Sequence, residues 1–172
     1  MRESNTIFIS HSSNDEPLVT AFVNKILTVG LGIDRDNIFY TSATDTGIKS
    51  GADFKNTIKE KIRSSSAVIQ IITENYKRSE ICMNEMGAAW VLSENVIPFV
   101  MSNFRFENVG FIHNNTQILR LDEERDLFKF QDDHPEVYGD KKIKQSNYHN
   151  QVKEFLAVIK NGGFRYGSQM YM

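Results

Sequence analysis

Ala67-Val68-Ile69-Gln70-Ile71-Ile72-Thr73 is the stretch that decides the architecture. A short, nearly continuous apolar run suits a strand covered on both faces, the position of a central strand in a parallel sheet. Upstream, Thr6–Ser10 (TIFIS) reads as a second buried strand. Asn14 and Asp15 follow it as a helix cap, with Pro17 in the first turn, where its missing N–H costs nothing. Val19, Phe22, Val23, Ile26 and Leu27 then fall at helical spacing, and Gly30 and Gly32 stop that helix. Asn37–Thr41 (NIFYT) is a further strand, and Ser42–Ser50 (SATDTGIKS) is a polar loop without periodicity. Ser50 and Asp53 resemble a capping box for a helix whose stripe is Phe54, Ile58 and Ile62.

Downstream, Ser79 caps a helix from about Glu80 to Leu92. Val96–Met101 (VIPFVM) is the fourth strand, an assignment that Pro98 weakens or moves towards an edge. Gln117–Leu121 (QILRL) is the fifth. Asn147 opens a final helix carrying Val152, Phe155, Leu156 and Ile159, ended by Asn161–Gly162–Gly163. Asp122–Asp140 holds eight acidic and two basic residues without a clean period and reads as a surface loop with a short helical turn. Strands alternating with helices imply an α/β fold with a parallel sheet and right-handed crossovers. Ligands of such sheets bind beyond the carboxyl ends of the strands, so the loops after Ser10, Thr41, Thr73 and Met101 are the places to search.

At 172 residues the chain is one domain, with a core at about 6–160, an acidic and polar insertion at 122–146 and an aromatic tail at 164–172. Apolar residues at 40% and charged residues at 24% exclude disordered, collagen-like and coiled-coil readings of the whole. The 20 Lys and Arg against 22 Asp and Glu are spread evenly over both halves, which argues against nucleic-acid binding by bulk charge. Cys82 is the single cysteine, so no internal disulfide forms, and a reducing compartment fits. No signal-peptide core and no membrane-spanning run is present; the expected location is cytoplasmic.

Several chemistries have no signature here. There is no GxxxxGK[ST], no GxGxxG after the first strand and no GxSxG elbow. His11, His113, His134 and His149 are scattered without ligand spacing, so no metal site is expected. A receiver-type phosphoacceptor would need paired acids after the first strand and an Asp after the third; His11–Ser12–Ser13 and Thr73–Glu74–Asn75 stand there instead. His11, Ser12 and Asp15 are too close in sequence to converge as a triad and read as a capping turn.

Ser79-Glu80-Ile81-Cys82-Met83-Asn84-Glu85-Met86 is the informative segment. Cys82, Glu85 and Ala89 share one helix face, and Ile81, Ala88 and Leu92 mark the neighbouring apolar stripe. Glu85 therefore stands beside the core-facing side, where an acid is unfavourable unless it has a task or a partner. The pattern alone favours, by a small margin, an ordinary exposed acid on a helix flank. Trp90 reads as core.

Here the residues carry a family resemblance. Phe8-Ile9-Ser10-His11-Ser12-Ser13-Asn14-Asp15 resembles the first box of TIR (Toll/interleukin-1 receptor homology) domains, F-[IV]-S-[YH]-[AS]-x-x-D. Phe39-Tyr40-Thr41-Ser42 with Gly47 and the helix from Ser50 resembles the family's second strand and mobile BB loop. Ser79-x-x-Cys82-x-x-Glu85-Met86 resembles its catalytic helix, S-x-[WF]-C-x-x-E-[LM], with Ile81 in place of the aromatic. The second loop also lacks a Pro beside Gly47. The match runs from about Thr6 to Leu121 and is closest to the stand-alone, bacterial kind.

The resemblance implies a flavodoxin-like sheet of five parallel strands in the order 2-1-3-4-5 with helices on both faces. It implies an NAD+ nucleosidase, with NAD+ as substrate rather than cofactor. Glu85 would be the catalytic acid. Ser10, His11, Ser12, Ser42, Gly47 and Cys82 would border the substrate, with Cys82 mainly packing beneath Glu85. The product would be ADP-ribose or a cyclic ADP-ribose-type signal, in antiphage defence. Partners would be other copies of the chain through TIR–TIR contacts and a separate sensor or effector protein. The rival expectation is a non-enzymatic interaction module.

Overall fold

The computed structural model describes residues 5–40, 54–110 and 116–162. Strands β1 (Ile7–Ser10), β2 (Ile38–Tyr40), β3 (Ala67–Ile72), β4 (Val96–Val100) and β5 (Leu119–Arg120) form one sheet. All pairings are parallel, and the order is β2-β1-β3-β4-β5. The expected order and the central place of Ala67–Ile72 are both observed. Every residue of β3 is buried, as a strand with neighbours on both edges and helices on both faces requires.

Alternation along the strands sorts two layers. Ile7, Ile9, Ile69, Ile71, Ile97, Phe99 and Leu119 point to the larger core, with α1 (Glu16–Phe22) and its π-helical continuation Val23–Gly30. The later helices α5 (Glu124–Asp133) and α6 (Gln145–Asn161) complete that layer. Phe8, Val68, Ile72 and Val100 point to the opposite face, covered by α2 (Phe54–Ser64), α3 (Glu74–Arg78) and α4 (Glu80–Leu92). Ser10 and Gln70 share that second face, paired in register across β1 and β3, and neither has exposed surface. They are two buried polar side chains on an otherwise apolar sheet face.

Glycine sets one turn and one close approach. Gly32 has φ +68°, a left-handed conformation that turns the chain after the π-helical segment. A Cβ at Gly30 would stand 2.9 Å from the Lys25 carbonyl and 3.0 Å from the Tyr148 ring, so only glycine lets α6 pack this closely.

Four expectations are corrected. Pro98 neither breaks β4 nor moves it to an edge: the strand is formed and lies between β3 and β5, as the order 2-1-3-4-5 requires. The β5 ladder meets only Phe99 and Val100 and never reaches Pro98. Asp122–Asp140 is not a surface loop. It contains the ten-residue α5, whose Leu127 and Phe130 are fully buried, one helical turn apart, inside the acidic stretch. Asp15 makes no capping bond for α1; Ser12 accepts from the Asn14 N–H instead, and Asp15 turns inward. Trp90 is not core: it is 59% exposed, because α4 is apolar on all sides and buries the side bearing Cys82, Glu85, Met86 and Ala89. The expected Ser50–Asp53 capping box, His113 and the 164–172 tail lie outside the described residues.

Candidate active site

The carboxyl end of β1 meets the start of α4. Helix α4 begins where it must, with Ser79 Oγ accepting from the Cys82 N–H at 3.2 Å. That start places Glu85 in the second turn, 5% exposed, with Oε2 accepting from Ser10 Oγ at 2.6 Å. Ser10 Oγ also lies 2.9 Å from the Tyr76 hydroxyl. The acid is thus buried and held, and the reading of Glu85 as a merely exposed flank residue is excluded.

Around this group the loops are tied by a second set of bonds. Asp15 accepts from the Thr73 hydroxyl and, at 2.8 Å, from Asn75 Nδ2. Thr73 in turn caps α3, accepting from the Tyr76 N–H at 3.1 Å. Burial pushes the Asp15 carboxyl up from its ordinary value, against the two hydrogen bonds. Cys82 Sγ donates to the His11 carbonyl at 3.4 Å, fastening α4 to the end of β1. Burial raises the Cys82 thiol to about 11, with the Ser79 bond opposing and the charges of Glu85 and Asp15 adding. A thiol so placed is no nucleophile near neutral pH.

His11 is 3% exposed, and neither ring nitrogen makes a well-formed hydrogen bond. Its ring stands 5.7 Å from Tyr40. Burial lowers its pKa to about 4, opposed weakly by the Ile9 carbonyl. The imidazole is therefore neutral near pH 7. The folded value lies below the unfolded 6.5, so this stability is complete above about pH 6.5 and is lost as pH falls towards 4. Acidification across that window should remove roughly 3 kcal/mol through His11 alone. His11→Phe keeps an aromatic ring and should cancel that loss, with a gain at neutral pH from removing unpaired nitrogens. Urea unfolding of both proteins at about pH 7 and about pH 4 checks this; equal acid losses would refute it. The comparison between proteins matters because Asp15 moves stability in the opposite sense.

Glu85 opens onto a groove of about 440 Å³ between α2 and α4. Ile58, Ile81 and Ala88 form its apolar walls, Asn84 and Glu85 its α4 side, and Lys55 and Lys59 its α2 rim. A larger depression, about 820 Å³, lies near the amino ends of β3 and β4 between Asn5, Ser64–Ser66 and Ser93–Asn95. It holds none of the candidate residues and lies at the wrong end of a parallel sheet for a ligand site.

The model of the TIR domain matches residues 7–133. The chain belongs to the TIR-domain family. This TIR domain is 36% identical over 126 residues to YddK, an uncharacterized protein of Bacillus subtilis (strain 168). That match takes in 73% of this chain and 47% of YddK, so the chain spans about half the length of that relative. Among solved structures it is similar to the TIR domains of the activated Roq1 resistosome directly recognizing the pathogen effector XopQ. There the identity is 16%, the TM-score 0.46, and the match covers 90% of this chain and 85% of that one.

The TIR domain brings together Ser10, His11, Ser12, Cys82 and Glu85 of the expected site. Ser10 and Cys82 are buried with their polar atoms engaged by the protein, and Ser12 is 5% exposed. Ser42 and Gly47 lie outside the described residues. Sequence reasoning missed Tyr76, Gln70 and the Asp15–Thr73–Asn75 tie. Gln70 was detectable as the one polar residue within the strand run AVIQII. Tyr76 had no signal, because a lone aromatic between two caps is indistinguishable from core. Among the described residues no three His, Cys, Asp or Glu side chains converge on a metal-sized site, and no helix is long and apolar enough to cross a membrane.

Proposed function

We propose that this TIR domain cleaves the bond between nicotinamide and ribose in NAD+, with Glu85 as the catalytic carboxylate. The observation that carries the reading is a buried carboxylate at the carboxyl end of β1, oriented by Ser10 and opening to the α2–α4 groove. One carboxylate suffices for this reaction. Glycosidases with alkoxide leaving groups use a second carboxyl to protonate them. Nicotinamide departs from a pyridinium, takes the bonding electron pair and leaves neutral. The remaining ribosyl cation needs a fixed negative charge, which counts for most where water is excluded. Water then adds at the ribose carbon and loses a proton, giving ADP-ribose; attack from within the nucleotide gives a cyclic ADP-ribose-type signal instead. The apolar groove walls suit a flat ring, and Lys55 and Lys59 suit the diphosphate. Release of nicotinamide from NAD+ by purified protein, with products separated, tests the proposal; no release at any protein concentration would refute it.

The role in antiphage defence, with a separate sensor or effector as partner, belongs to the same proposal. A non-enzymatic interaction module is the second reading, and one observation favours it. On α4, the helix that bears Glu85, Ile81 is 48% exposed, Trp90 59% and Val91 73%, and the adjacent Trp90 and Val91 form an exposed apolar pair near its carboxyl end. Both readings accommodate self-association of the TIR domain through this helix. Specific activity should therefore rise with protein concentration and with a crowding agent. Val91→Glu, which disturbs no core contact, should move the half-maximal concentration up at least about tenfold, an energy of about 1.4 kcal/mol. Full activity, unchanged down to nanomolar protein, would contradict dependence on assembly.

A further inference from the structure

We propose that Tyr76 is a positioning residue for Glu85, acting through Ser10. Ser10 Oγ lies 2.6 Å from Glu85 Oε2 and 2.9 Å from the Tyr76 hydroxyl. A serine hydroxyl has one proton to give and lone pairs to accept with, whereas an ionised carboxylate only accepts. The Ser10 proton is therefore committed to Oε2, and the Tyr76 phenol must donate to Ser10. The chain runs one way, from Tyr76 to Ser10 to Glu85. Ser10 and Tyr76 have no exposed surface and Glu85 has 5%, so each bond acts in a low-dielectric interior where one polarises the next.

Tyr76 is fixed at both ends. Its N–H donates to Thr73 Oγ1, and the Thr73 hydroxyl is anchored on Asp15. Its ring belongs to the buried cluster of Ile72, Cys82, Met86, Val100, Phe104 and Val109. Phenylalanine would fill that volume equally well, so the phenolic oxygen is there for its bond to Ser10. Burial, with Glu85 and Cys82 adding to it, holds the phenol well above its ordinary value despite the Ser10 bond, so it remains a donor. Among the described residues, the other titratable groups at this site include Cys82 on α4, whose thiol feels the Glu85 charge, His11 and Asp15 just beyond β1, and Lys55 and Lys59 across the groove on α2.

The inference rests on Glu85 as the charge that meets the ribosyl cation, and the test separates the two ideas. Tyr76→Phe, Ser10→Ala and the double variant are compared with wild type for NAD+ cleavage. Turnover should fall about three- to tenfold in Tyr76→Phe and more in Ser10→Ala, with KM within about twofold, since the charge matters most near the transition state. The double variant should fall no further than Ser10→Ala, because Tyr76 acts only through that hydroxyl. The acid limb of the turnover profile should move to higher pH in all three, and Ser10→Thr should bring it back. A carbon-13 titration of the Glu85 carboxyl, identified by its absence in Glu85→Gln, gives the same comparison without activity. There the titration should move to higher pH in Tyr76→Phe and in Ser10→Ala, and no further in the double variant.

Wild-type turnover and profile in Tyr76→Phe, or a loss that adds to that of Ser10→Ala, would overturn the proposal. So would a Tyr76→Phe protein that does not fold, because the hydroxyl would then be holding the fold. If wild type releases no nicotinamide, the proposed function fails, and the carboxyl titration still decides the relay: an unmoved Glu85 ends it.

Discussion

Glu85→Gln is expected to lower NAD+ turnover about 10²- to 10³-fold, the loss of roughly 3–4 kcal/mol that follows removal of one preorganised electrostatic contact. Glutamine keeps the length, the helix propensity and an amide oxygen that can still accept from Ser10 Oγ. What disappears is the full negative charge. Because that charge is matched by substrate only when the ribosyl cation develops, KM should change much less than turnover. Thermal stability should fall little or rise, since a buried carboxylate is unfavourable for the fold wherever its bonds do not repay desolvation. Steady-state kinetics with a melting curve on the same preparation checks both halves. Wild-type turnover in Glu85→Gln would remove Glu85 from the reaction. Cys82→Ala is the control: it deletes the bond to the His11 carbonyl and should lower stability modestly while leaving activity measurable.

The sheet was legible because its strands are short, apolar and separated by helical spacing, and the central run AVIQIIT admits few other readings. Glu85 was legible in type and spacing, and the structure adds what spacing could not: its burial and its bond to Ser10. Three features were hidden for physical reasons. Asp15 looked like a cap because caps and tertiary acceptors use the same residue types; only packing brought Thr73 and Asn75, some sixty positions away, to its carboxylate. Helix α5 was hidden because Leu127 and Phe130 supply its buried stripe within a run dominated by acids. Trp90 was misplaced because a helix apolar on every side gives no phase by which to choose its inner face.

The two faces of the sheet allow stability and turnover to be separated, and Phe22→Ala is the substitution that does so. Phe22 is fully buried on the layer away from Glu85, with ring centroids 5.5 Å from Phe99, 5.9 Å from Phe155 and 6.1 Å from Phe130. Removing the ring leaves a cavity lined by three aromatic side chains on β4, α5 and α6, none of which can collapse without breaking its own contacts. A loss of about 3–5 kcal/mol is expected. Against a domain stability of roughly 5–15 kcal/mol that is a large share, so the variant is much easier to unfold and its turnover is read per folded molecule. Turnover per folded molecule should stay close to wild type, because Ser10, Tyr76 and Glu85 lie across the sheet and share no contact with the cavity. Glu85→Gln should show the reverse: a nearly unchanged melt and a collapsed rate. Urea titration paired with active-site-normalised kinetics distinguishes the patterns. Should Phe22→Ala lose turnover in proportion to Glu85→Gln while still folded, the two layers are coupled and the site depends on the whole core rather than on its own hydrogen bonds.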